Sequence, residues 1–208
     1  VNAMKLYGKL NQESPVRELW AELQRLDLVD KIGAQARIDA AADNGDVDSA
    51  REVMAYMEKK EIAMDELHFS SAIHACANSN DKNRARTAAD LFDAMLDKGL
   101  KPNIVTFSSL VRSLKGSPSK DLLDVLANMK VQGVKANKVF AENFMFIFLK
   151  QPSKGCWMEE DAITADLQKL DHNDLKVAND VLDEFKASGV DLNRSCRLID
   201  NVLTSLLR

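Results

Sequence analysis

A near-duplication in the middle of the chain limits its fold more than any other feature. Residues 66–77 read ELHFSSAIHACA, and residues 104–115 read IVTFSSLVRSLK. Each opening is followed by a second segment that closes on asparagine: LFDAMLDKGLKPN ends at Asn103, and DLLDVLANMKVQGVKAN ends at Asn137. Both closings contain Met-x-x-x-Gly, at Met95 to Gly99 and Met129 to Gly133. Met57 opens a similar closing with Glu61 in place of Gly, and Met57, Met95 and Met129 are 38 and 34 residues apart. A unit that short cannot bury an apolar face alone and must stack on its neighbours. The expected fold is therefore all-α, an α-solenoid of stacked antiparallel helix pairs.

The repeat register divides the chain. Residues 66–103 and 104–137 are clear repeats, 31–65 a degenerate one, and 1–30 a degenerate or truncated one. Residues 138–208 form an irregular helical part that keeps remnants of the repeat, such as FKASGVDLN at Phe185 to Asn193. Gly after each second helix suits a left-handed cap. Asn44-Gly45-Asp46 breaks an Ala-rich helix near 34–43, after which Val47, Ala50, Val53, Met54 and Met57 recur at helical spacing. Ser14-Pro15 reads as an N-cap followed by the first helical residue, with Leu19, Trp20 and Leu23 on one face of that helix. Gln151 to Gly155 breaks the chain after a Phe-rich helix, and further helices are expected near 158–170, 174–188 and 194–207. Phe140, Phe144 and Phe148 share a helical face as repeat core, or as a docking groove on an exposed flank.

Composition excludes several classes. The net charge of −4 gives no overall basic stripe of the kind that non-specific nucleic-acid binding requires, although a local basic face remains compatible with it. Cys76, Cys156 and Cys196 are widely spaced, form no C-x-x-C and read as free thiols in a reducing compartment; no zinc pattern or cofactor is expected. The apolar run Phe140 to Leu149 is too short to span a bilayer. The opening on Val1 rather than Met suggests a removed presequence or ends beyond this chain.

The pattern φ-V-T-F-S-S-L-V followed by L-x-x-M-x-x-x-G-φ-K-P-N resembles the pentatricopeptide repeat family. It is less similar to tetratricopeptide repeats, whose Trp and Leu-Gly pair the two clear copies lack. The resemblance implies an organellar protein, mitochondrial or chloroplast, that binds single-stranded RNA with one base per repeat. By that resemblance the fifth and last residues of a repeat reach the base edge, and the second residue packs on its face. Leu67, Ser70 and Asn103 take these places in one repeat, and Val105, Ser108 and Asn137 in the next. Val139 follows as the second residue of the unit after that. A hydroxyl with a side-chain amide can match a donor and an acceptor on one base edge. In the family, Ser with Asn resembles an adenine-preferring pair, so an A-rich RNA is implied. Residues 31–65 offer Gln35 with Asp65, which is not a readable pair, and Asn2 with Asp30 would be the first.

No catalytic constellation is present. H-x-E with C-x-x-C, a Gly-rich phosphate loop and G-x-S-x-G are all missing, and the acidic residues between 171 and 184 are spread along helical segments. His74 and Cys76 lie two apart on a helix and point in different directions. The alternative to RNA binding is a non-catalytic scaffold subunit that uses its solenoid surface for protein contacts in a large organellar assembly.

Overall fold

The computed structural model describes residues 1–150 and 160–208. Among them are twelve helices and no strands: α1 (Asn2–Lys9), α2 (Glu13–Arg25), α3 (Lys31–Asn44), α4 (Val47–Lys59), α5 (Glu66–Asn78), α6 (Arg84–Asp97), α7 (Ile104–Ser113), α8 (Ser119–Val131), α9 (Lys138–Phe148), α10 (Glu160–Leu167), α11 (His172–Ala187) and α12 (Arg194–Leu206). The chain forms two compact units, Val1–Leu114 and Lys115–Arg208. The break from Gln151 to Gly155, Cys156 and the first two residues of the helix expected from 158 lie outside the described residues.

In the first unit α1, α3, α5 and α7 pack side by side in succession, while α2, α4 and α6 each pair with the helix before them. Helix α3 is enclosed between α1, α4 and α5, which explains its composition. Ala34, Ala36, Ile38, Ala40, Ala41 and Ala42 bury nearly its whole circumference, where an amphipathic helix would bury one stripe. Small residues also set the spacing. A Cβ on Gly8 would lie 2.7 Å from the Ala40 backbone, so α1 rests directly on α3. The main core joins Ile38, Val53, Met57, Phe69 and Met95 from four helices, with Trp20 packed against it. Trp20 meets Tyr56 edge-on at 5.6 Å.

Helix ends repeat one design. At Gly99 (φ 71°) the Leu100 N–H donates to Met95 O at 3.1 Å and the Gly99 N–H to Leu96 O at 2.8 Å, the paired bonds of a Schellman cap. Gly133 and Gly189 close α8 and α11 in the same way. So do three residues that are not glycine: Glu61 (φ 55°), Asp27 (φ 52°) and Asn11 (φ 54°). The left-handed position is thus kept where the sequence has no glycine.

Helix starts repeat as well. Asp30, Asp65, Asn103, Asn137 and Asn193 each cap the following helix with a side-chain oxygen. The Ser14-Pro15 expectation is corrected: α2 starts at Glu13, its N-cap is Gln12, and the Ser14 hydroxyl bonds Glu18 within the helix. Pro15 is tolerated there because first-turn N–H groups have no intrahelical partner.

In the second unit α9 packs against α8, α11 and α12. Phe140 and Phe144 are fully buried, Phe148 nearly so, and both Phe140 and Phe144 meet Phe185 of α11 edge-on at 6.1 and 5.9 Å. These rings are core, and the docking-groove alternative is overturned.

Candidate functional site

The stacked first helices of the first unit line a cleft of about 380 Å³. Its walls carry Leu67 at the start of α5 and Val105 at the start of α7, which are 60% and 54% exposed despite being apolar. Ser70 and Asn103 also line it. Four of the seven sequence-predicted residues therefore converge on one cavity. Helical spacing accounts for this: residues two and five of a first helix lie three apart and share a face, and the last residue is the cap of the next helix.

Their hydrogen bonds are more constrained than the sequence suggests. Asn103 Oδ1 accepts the Val105 and Thr106 N–H groups at 2.8 and 3.1 Å, which orients the amide and leaves Nδ2 outward. Ser70 is only 6% exposed, and its Oγ lies 2.7 Å from Thr106 Oγ1. The Thr106 hydroxyl in turn accepts the Asn103 N–H at 3.2 Å. Ser108, half-buried on α7, donates its hydroxyl to Ile104 O at 2.7 Å. In the second unit Asn137 caps α9 through Phe140 N–H at 2.8 Å, and Val139 is 51% exposed. Ile32 was missed. It is the second residue of the 31–65 stretch and is 63% exposed, so the exposed apolar position recurs on α3, α5 and α7. The repeat register alone was enough to find it.

The rest of the cleft is electrically mixed. Lys5 and Lys9 of α1 face Asp39 and Asp43 of α3. Lys5 is paired with Asp39 at 3.2 Å, and the Asp39 carboxylate also accepts bonds from Gln35 and Ser71. Lys9 makes no ion pair among the described residues. His74 stands one turn beyond Ser70 on the same wall; burial lowers its pKa, the Arg112 charge adds to this, and Asp43 and Asp39 oppose it. Gln35 and Asp65, the unreadable pair, are both engaged. Asp65 holds Lys31 at 2.7 Å and lies 2.7 Å from Nδ1 of the buried His68. Burial works to raise the Asp65 pKa, but its bonds from Lys31 and His68 outweigh it and hold the group down at about 2.

Cys76 and Cys196 are buried free thiols, and burial pushes them up to about 11 and about 12, far from a reactive thiolate. No group of three or more potential metal ligands occurs among the described residues. No described helix is long and apolar enough to cross a membrane.

Comparison with known proteins agrees with the helical-repeat fold. A family profile described as pentatricopeptide repeat-containing protein matches residues 35–140. The search of curated proteins found no match. Among solved structures, the PPR domain of Arabidopsis thaliana protein-only RNase P 1, in complex with tRNA, is similar over 81% of this chain and 95% of that one, at 17% identity and a TM-score of 0.50. The maize pentatricopeptide repeat protein PPR10 is similar over 97% of this chain but only 31% of its own length, at 17% identity and a TM-score of 0.57. At these identities the likeness is one of fold.

Proposed function

This chain belongs to the pentatricopeptide repeat family, and from that premise we propose that it binds single-stranded RNA in an organelle, without catalysis of its own. The observation that carries the reading is the convergence of Leu67, Ser70, Asn103 and Val105 on one open cleft. Two exposed aliphatic side chains can hold the faces of a base while a hydroxyl and an amide meet its edge. Ser108 in the first unit, and Asn137 and Val139 in the second, complete the proposed contacts. The proposed repeat divisions 66–103 and 104–137, with the next unit opening at residue 138, supply the register for all seven.

Stacking gives roughly 1–3 kcal/mol per base, against about 12 kcal/mol for nanomolar affinity. The chain alone should bind RNA weakly and gain from other segments or partners. Fluorescence anisotropy at low salt should show an adenine-containing RNA bound better than its pyrimidine substitute. Equal binding of the two would refute the reading.

A second reading has its own support. The cleft carries Asp39 and Asp43 beside its lysines, and carboxylates oppose phosphate. A scaffold subunit of a large organellar assembly has no such conflict. It predicts co-purification with protein partners that survives RNase digestion, and loss of every partner after RNase would remove it.

A further inference from the structure

We infer that His74 decides the charge of the cleft: when protonated it supplies a cation beside Lys9, so that single-stranded RNA binds tighter and with a steeper salt dependence as pH falls. This rests on the RNA-binding reading above and deepens it. A cancellation supports it first. Lys5 and Lys9 line the cleft with Asp39 and Asp43, and His74 is the only other titratable side chain among the described residues on its walls. Two lysines against two aspartates leave no net formal charge, so one proton on His74 sets the sign that a phosphate meets. Geometry supports it next. His74 follows Ser70 by four residues on α5, so the two share a face. Its half-buried imidazole bonds no other described residue, whereas Nδ1 of His68 lies 2.7 Å from Asp65.

The charges that act on His74 come from both neighbouring first helices: Arg112 from α7, and Asp43 and Asp39 from α3. The Arg112 guanidinium is held by Asn78 Oδ1 at 2.6 Å. Helices α4 and α6 meet α5 through the apolar core around Phe69, Ala72 and Ala75. On α5 itself, Glu66 and His68 lie about two turns away. Asp39 is already engaged by Lys5, Gln35 and Ser71, which leaves Asp43 as the carboxylate an imidazolium could neutralise. Whether the imidazolium meets Asp43 or the strand, the cleft gains one positive charge. Burial, then the Arg112 charge, hold the imidazole pKa below its ordinary value, so the ring is neutral in alkaline solution and charges on the acid side. Bound phosphate works the other way, and RNA and the proton favour one another's binding equally.

The test measures binding of the full chain to an adenosine hexanucleotide by fluorescence anisotropy, at about pH 8 and about pH 5.5, over a range of salt. Binding should be about fivefold tighter at the lower pH, the upper end for one partly exposed ion pair. The log–log salt slope should steepen from about −0.7 to about −1.4 as one neutralised phosphate becomes two. His74→Gln, which cannot take the proton, should lose the gain between the two pH values, and it subtracts whatever His68, His172 and the RNA contribute. Nuclear magnetic resonance of the His74 ring in the wild-type chain gives a second readout that needs no variant. Its titration midpoint should rise by about 0.7 when RNA is bound, the same fivefold read from the proton's side. A gain of equal size in wild type and His74→Gln, no gain in wild type, or a midpoint that RNA leaves unmoved would overturn the inference, while binding at pH 8 keeps the RNA reading standing. Failure of the wild-type chain to bind at either pH would overturn that reading itself.

Discussion

Asn103 serves two purposes, and its capping role bears on any mutational test of its proposed base contact. Its side chain satisfies two orphan N–H groups at the start of α7. Asn103→Ala should therefore lower stability by about 1 kcal/mol, whereas Asn103→Asp, which keeps the capping oxygen, should cost little. Urea denaturation followed by circular dichroism measures both. Asp65 is the acidic counterpart at the start of α5. Its pKa is depressed from 3.8 to about 2 in the folded chain, so the unfolded chain binds the proton first. Its contribution to stability is present above about pH 4 and lost as pH falls toward 2. The stability difference between wild type and Asp65→Asn should shrink across that window, and a constant difference would show the carboxylate to be uncoupled. The sequence revealed Asn103 and Asn137 as closings of a repeat but not as caps, because capping depends on backbone direction just beyond the motif. It also could not show that Ser70 is buried, since its partner Thr106 lies 36 residues away.

At the scale of elements, the closings were the legible feature. Met-x-x-x-Gly marks a helix end wherever Gly is present, because Gly takes the left-handed conformation without a Cβ clash. Glu61, Asp27 and Asn11 carry the same geometry with nothing in their identity to announce it. Two glycines separate conformation from packing. Gly99 has φ 71° and open space around its missing Cβ, so Gly99→Ala should cost only the left-handed strain of roughly 1–2 kcal/mol. Gly45 has φ 68°, and a Cβ there would lie 2.7 Å from Asn78 O. Gly45→Ala should therefore destabilise clearly more than Gly99→Ala, because it also pushes the α3–α4 turn off the end of α5. Thermal unfolding of the two variants provides the comparison, and equal losses would deny that contact. The Phe-rich helix illustrates ambiguity at this scale. Phe140, Phe144 and Phe148 fit a buried stripe or an exposed groove equally well by spacing, and only their packing decides: Phe140 and Phe144 meet Phe185, and Phe148 stacks on Phe144.

For the whole molecule, the repeat period foretold stacked helix pairs because short units have no other way to bury a core. Charge was less informative, since a net value of −4 hides which lysines stand in the cleft and which carboxylates neutralise them. Lys5 is spent on Asp39, so Lys9 is the cleft lysine with no ion pair among the described residues. RNA affinity should then fall only gently with salt, with a log–log slope of about −0.7, the single-strand value for one neutralised phosphate. Where RNA touches the chain is measured directly by side-chain nuclear magnetic resonance during titration with single-stranded RNA. The Asn103 amide and the Leu67 and Val105 methyls should shift together and saturate at one concentration. Shifts confined to other residues, with these three unmoved, would contradict binding in the cleft.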